Sequence, residues 1–143
     1  MTTVSRPPWH LWFFASISAL WFVFVAYGYV MTEIENPAFI SRFPPDLMQL
    51  LETMPSWALA ARTCGIWVGP VAALLLFIRS RHAFWAFLIV LSALSIGTLG
   101  EQWIGLPDTM KSQGMFALKG INWGLLITMV AYTHLMQSRG VLR

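Results

Sequence analysis

Four long apolar runs constrain this 143-residue chain more than any motif in it. They cover about Leu11–Met31, Trp57–Ile78, Ala83–Gly100 and Phe116–Met136. Each is close to the roughly 20 residues that cross a bilayer core at about 1.5 Å of rise per residue. In hydrocarbon every backbone N–H and C=O needs an internal partner, which makes each run a helix. Strands that cross membranes alternate in polarity over shorter segments, and these runs do not alternate. Only 10% of the residues are charged and 57% are apolar, against roughly 25% charged in a soluble domain. Too little charge remains to clothe a water-facing surface. That excludes a cytosolic enzyme, a disordered segment and a nucleic-acid module. The expected architecture is an all-α membrane protein, a single four-helix domain with up-down-up-down topology in the lipid bilayer.

The charges predict an orientation. Arg6 precedes the first run, Arg79 and Arg81 sit in the turn between the second and third, and Arg139 and Arg143 follow the fourth. No acid stands among these five cations. Glu33, Glu35, Asp46, Glu52, Glu101 and Asp108 all fall on the opposite side, with Arg42 and Lys111. The positive-inside rule then puts both termini in the cytoplasm. Trp9, Trp12 and Trp85 mark the inner interface, and Tyr27, Tyr29, Trp57 and Trp103 the outer one. Trp21 and Trp67 fall mid-span, where an indole N–H needs a partner from another helix. The first run is longer than the apolar core of a signal peptide and has no Ala-x-Ala site after it, so it is read as a retained span.

The first outer loop, roughly Thr32–Ser56, carries turn signals at Asn36-Pro37 and Pro44-Pro45. Leu47, Leu50, Leu51 and Met54 follow at helical spacing, which predicts a short amphipathic helix able to lie on the outer membrane surface or to cover the bundle. Within the spans, Ala61, Gly65, Gly69 and Ala73 recur every fourth residue, and Gly120 and Gly124 do so in the last span, continued by Thr128. Small-xxx-small rows let helix backbones approach closely. Packing inside one bundle is the expected use of these rows, ahead of a homodimer seam. Pro70, beside the first row, is expected to bend its helix.

The polar residues in or beside the spans gather toward the outer side. Arg62 lies about five residues inside the second span, roughly 7–8 Å along the axis. Glu101 ends the third span, and Lys119 and Asn122 open the fourth on one helical face. These four are the candidate substrate-binding residues, since an ionisable group within a span is a functional-site hypothesis by default. Snorkelling to headgroups is the competing reading, favoured for Lys119. For Arg62 both readings stay open, snorkelling and an ion pair with Glu101 at similar depth.

His10, His82 and His134 all map to the cytoplasmic ends of spans without i, i+3 or i+4 spacing, so neither a metal nor a cofactor site is assigned to them. The lone Cys64 reads as buried, inert packing within an apolar helix. No HExxH, GxSxG, SxxK, P-loop or GxGxxG signature occurs, and no enzymatic activity is expected.

Several stretches resemble a group of uncharacterised small four-transmembrane-helix proteins of the bacterial inner membrane, some of them loosely labelled sugar transporters. They are Pro8-Trp9-His10-Leu11-Trp12, Ala26-Tyr27-Gly28-Tyr29, Asn36-Pro37-Ala38-Phe39, Gly65-Ile66-Trp67-Val68-Gly69, Arg79-Ser80-Arg81 and Arg139-Gly140-Val141-Leu142-Arg143. The resemblance covers most of the chain and implies the same topology and a multi-pass inner-membrane location. Gly28 stands where that group often has an acid.

Three functions remain open on this reading. The leading one is a non-enzymatic membrane protein acting by helix association, as an accessory or structural subunit of a larger membrane complex or as a homo-oligomer. The second is a small-solute transporter or channel working as an oligomer, with Arg62, Glu101, Lys119 and Asn122 at its outer mouth. The third is a membrane cofactor-binding protein using the cytoplasmic-side histidines.

Overall fold

A computed structural model describes residues 8–142. Arg6 and Arg143, both part of the charge argument, lie outside the described residues. Four long helices dominate: α1 (Trp9–Glu33), α4 (Ser56–Phe77), α5 (His82–Ile104) and α6 (Gln113–Ser138). All four are long and apolar enough to cross a membrane. Two short helices, α2 (Pro37–Ile40) and α3 (Leu47–Thr53), occupy the connection between α1 and α4, and a 3-10 turn at Asp108–Met110 follows α5. No strand occurs among the described residues.

Local chemistry explains where these elements begin. Pro8, Pro55 and Pro107 stand immediately before α1, α4 and the 3-10 turn. A proline there supplies a fixed φ and leaves helix hydrogen bonding to the residues that follow. Asn36 caps α2 by accepting from Phe39 N–H, with Pro37 in the first turn, and Ser112 caps α6 by accepting from Met115 N–H. α5 outruns its sequence boundary by a turn, so Glu101 lies within the helix and Gly105, at φ 76°, ends it. α4 runs on through Pro70.

The helices pack with α4 at the centre, against α1 on one side and α5 on the other; α6 leans on α5 and touches α1 only slightly. Glycine and alanine on α4 permit this. A Cβ on Gly65 would stand 3.0 Å from the Ala93 Cβ of α5, and one on Gly69 would stand 2.2 Å from the Phe22 ring of α1. One row of small residues thus serves two neighbours, with Ala73 buried at its end. A second close approach joins α5 to α4, where a Cβ on Gly100 would lie 2.3 Å from the Ala58 Cβ. Gly120 and Gly124 behave differently: nothing lies within 4 Å of a Cβ added at either. The packing role expected for them is not realised within the chain. Cys64 is also exposed on the outside of α4, not buried.

At the basic end, Leu11, Leu76, Ala83 and Met136 close the core together with Val141 and Leu142, which fold back after α6. Arg79 ties this tail down. Its Nε and Nη2 donate to the Val141 carbonyl at 3.2 and 3.0 Å. At the acidic end Leu47 and Leu50 of α3 turn inward onto Met110, so the apolar side of this helix covers the bundle. Lys111 donates to Asp108 at 2.7 Å, and this hydrogen bond holds the exposed Asp108 carboxyl below its ordinary range.

The slight α1–α6 seam is joined by two polar contacts. Trp21 Nε1 donates to Asn122 Oδ1 at 3.0 Å, which supplies the partner a mid-span indole requires. Nearer the basic end, His10 Nδ1 and the Tyr132 hydroxyl share a hydrogen bond of 2.6 Å. Trp67 instead lies half-exposed on α4, edge-on to Tyr29 at a ring separation of 6.2 Å.

Candidate functional site: a layered cavity at the acidic end

Because α6 stands off α1, the acidic half of the bundle does not close. A cavity of about 690 Å³ lies between the four long helices and beneath the α2–α3 segment. All four residues singled out from the sequence, Arg62, Glu101, Lys119 and Asn122, line it. Their partners differ from those expected. Glu101 accepts a hydrogen bond from Lys119, and Arg62 makes no ion pair among the described residues. Of the two readings open for Arg62, the pair with Glu101 is not formed among the described residues, and the carboxylate is taken by Lys119 instead. Both α4 and α6 run beside the last turns of α5, and the rotation of each helix about its axis is what brings Lys119, and not Arg62, onto the carboxylate. Lys119 is held by this carboxylate and does not snorkel freely. Asn122 spends its carbonyl oxygen on Trp21 and leaves its amide N–H groups for the cavity.

Arg62 is the outlier. Its guanidinium makes no hydrogen bond or ion pair among the described residues, yet every buried side-chain N or O atom there has a partner. Its nitrogens are therefore not sealed off, and Arg62 is one of the residues that line the cavity. Glu101, Glu33 and the Tyr29 hydroxyl lie within electrostatic reach without closing on it. Next to it, Thr63 Oγ1 donates to the Tyr29 hydroxyl at 3.5 Å, linking α4 to α1.

The cavity is layered. Its floor is apolar, built from Phe22, Ile66, Val90 and Leu126. Above this, Arg62, the Lys119–Glu101 pair, Tyr29, Thr63 and Asn122 form a polar belt. The rim carries Glu33, Glu35 and Glu52, all exposed and none in an ion pair among the described residues. Phe39 and Phe43, with rings 5.1 Å apart, roof part of the opening together with Leu47, Leu51 and Met54.

Sequence reasoning missed the rim carboxylates and the Phe39–Phe43 part of the roof, while a covering role for the Leu47–Met54 segment was among its expectations. Gly28, Tyr29, Thr32 and Glu33 share a face of α1 at helical spacing, and that face carries the only acid of the helix. This was the available signal. The three histidines occupy separate places: His10 bonds Tyr132, His134 lies against the Phe84 ring at 5.4 Å, and His82 begins α5. Among the described residues no three His, Cys, Asp or Glu side chains come together as a metal site.

The fold and the site together define a class: a four-helix bundle with membrane-spanning proportions and a mixed polar–apolar cavity at one end. Comparison with protein-family models, with curated proteins and with solved structures returns no match.

Proposed function

We propose that this chain binds a small solute through an anionic group and acts as a small-solute transporter or channel of the bacterial inner membrane. The observation that carries the reading is Arg62, a permanent cation inside an apolar span, without a carboxylate partner among the described residues and lining a cavity. An arginine cannot discharge itself by losing its proton, so at that depth it requires water, a headgroup or a bound anion. The neighbouring carboxylate that would satisfy it is taken by Lys119. The cavity volume also falls within the roughly 300–1,000 Å³ typical of small-molecule sites. Four short helices do not enclose a solute path on their own, so transport proceeds through an oligomer. The cavity faces the periplasm, because the positive-inside rule assigns the Arg79, Arg81 and Arg139 end to the cytoplasm.

The experiment is thermal unfolding of the protein in lipid nanodiscs with 4-methylpentanoate and with its neutral amide. A ligand at a hundred times its Kd stabilises the folded state by about 2.7 kcal/mol. The carboxylate is expected to raise the unfolding temperature of the native protein and leave Arg62→Gln unmoved, and the amide to act on neither. An equal response of both proteins to the carboxylate removes Arg62 from the site.

The helix-association reading is favoured by a different observation. Gly120 and Gly124 present an open backbone strip on α6, the least enclosed of the four long helices. Such a strip suits close approach by another helix, whether from a partner subunit or from a second copy of this chain. Crosslinking of Gly120→Cys in native membranes, compared with Leu20→Cys on α1, distinguishes an association face from one that meets lipid.

A further inference from the structure

The solute class can be named more closely, on the basis of the anion-binding reading above. We infer that the cavity is built for a zwitterion with an apolar body: an anionic group at Arg62, a cationic group at the rim carboxylates, and an aliphatic part on the floor. Three observations converge. The first is the charge left over once internal pairing is complete. Lys119 neutralises Glu101, which among the described residues leaves Arg62 as the unpaired cation of the belt and Glu33, Glu35 and Glu52 as unpaired acids of the rim. A simple anion satisfies Arg62 but must pass and sit beneath three negative charges. A simple cation matches the rim but leaves the guanidinium without a counter-charge in a low-dielectric span, where like and unlike charges are felt strongly. A molecule carrying both charges meets both layers.

The second observation is that the two unpaired sets remain separate. Glu33 lies within electrostatic reach of Arg62 but not in contact with it. The fixed positive group and the fixed negative ones therefore line one cavity without neutralising each other. The third is the floor, where Phe22, Ile66, Val90 and Leu126 offer no donor or acceptor from their side chains. A body resting there gains by leaving water and has nothing polar to satisfy. An α-amino acid with an aliphatic side chain carries this set of groups, since one carbon bears the carboxylate, the ammonium and the apolar arm.

Leucine, 4-methylpentanoate and 3-methylbutylamine share one apolar body and differ in charge, so calorimetric titration of the nanodisc-embedded protein with each is the test. Leucine is expected to bind at least tenfold more tightly than either single-charge analogue. The Glu33→Gln/Glu52→Gln variant should weaken leucine to the level of 4-methylpentanoate without weakening 4-methylpentanoate itself. Arg62→Gln should abolish both. The two rim carboxylates are exposed and make no hydrogen bond among the described residues, so an unchanged unfolding temperature without ligand confirms that this variant is folded. If 4-methylpentanoate binds as well as leucine, or if the rim variant leaves leucine untouched, the zwitterion assignment is wrong while the anion site stands. If none of the three binds the native protein, both readings fall.

Discussion

Arg79 adopts a left-handed backbone at φ 59°, a conformation that ordinarily favours glycine. It ends α4 in a paired-bond motif: its own N–H bonds Leu76 O and the next N–H, of Ser80, bonds Leu75 O at 2.8 Å. Gly140 ends α6 in the same way, with bonds to Gln137 O and Met136 O. At the first site the arginine side chain adds a contact that glycine could not, because its guanidinium holds the Val141 carbonyl. Hydrogen bonds from a charged donor contribute about 1.5–3 kcal/mol, and a left-handed side chain costs roughly 1–2 kcal/mol. Arg79→Ala is therefore expected to lose stability on the first count with no relief on the second. Arg79→Gly should lose the same contact but recover about 1 kcal/mol of backbone strain. Thermal unfolding of the three proteins should rank them native, Gly, Ala; the reverse order for the two variants would overturn the backbone-strain argument, and an Arg79→Ala protein as stable as the native one would show that the tail contact contributes nothing.

The residues of the cavity separate into those whose position was legible and those whose partner was not. That Arg62, Glu101, Lys119 and Asn122 share one end of the bundle follows from counting along each span. Which cation Glu101 holds does not follow, because depth along a helix says nothing about rotation about its axis. Arg62 and Lys119 both reach the depth of Glu101; only the helix arrangement brings Lys119 onto it. Trp21 is the converse case. Its need for a partner was visible as an indole in mid-span, and Asn122 meets it.

Among the elements, the small-residue rows separate cleanly by surroundings. Gly69 faces a buried phenylalanine ring and Gly100 faces a buried alanine at distances a methyl group cannot share. Adding volume to a packed core typically costs about 1–3 kcal/mol. Gly69→Ala and Gly100→Ala are each expected to lower the unfolding temperature by that measure of stability. Gly124→Ala meets nothing among the described residues and should leave the unfolding temperature unchanged or raise it, since alanine is favoured over glycine inside a helix by roughly 0.5–1 kcal/mol. A Gly69→Ala protein as stable as the native one would mean that α1 does not approach α4 through Phe22. Gly100 was not recognisable in advance, since it lies outside a regular row, whereas Gly120 and Gly124 lie in a regular row and pack against nothing here. Regular spacing announces the capacity for close approach, and the neighbour decides whether it is used.

Over the whole molecule, charge and packing divide the bundle into two unlike ends. The basic end is closed by Leu76, Met136, Val141 and Leu142, and the acidic end is open. This asymmetry fits a site reached from one side of the membrane. With the orientation expected from the charges, a reporter fused at the C-terminus and a probe at Ser80 should both be found in the cytoplasm, and a cysteine label at Gln49 in the periplasm. An external Ser80 would invert the bundle and put the cavity on the cytoplasmic side.

Four helices and their alternating arrangement were readable from the order of residues, because hydrocarbon imposes a local rule: each span must satisfy its own backbone and be apolar over a set length. The same rule hides the rest. A helix that is apolar on every face carries no amphipathic stripe to say which side turns inward. The sequence therefore located Arg62 in depth, and tertiary structure alone decided that α6 stands away from α1, that Lys119 takes Glu101, and that Arg62 is left lining a cavity. Those outcomes depend on the rotation and contact of whole helices, which are set by packing between distant segments and not by periodicity within one.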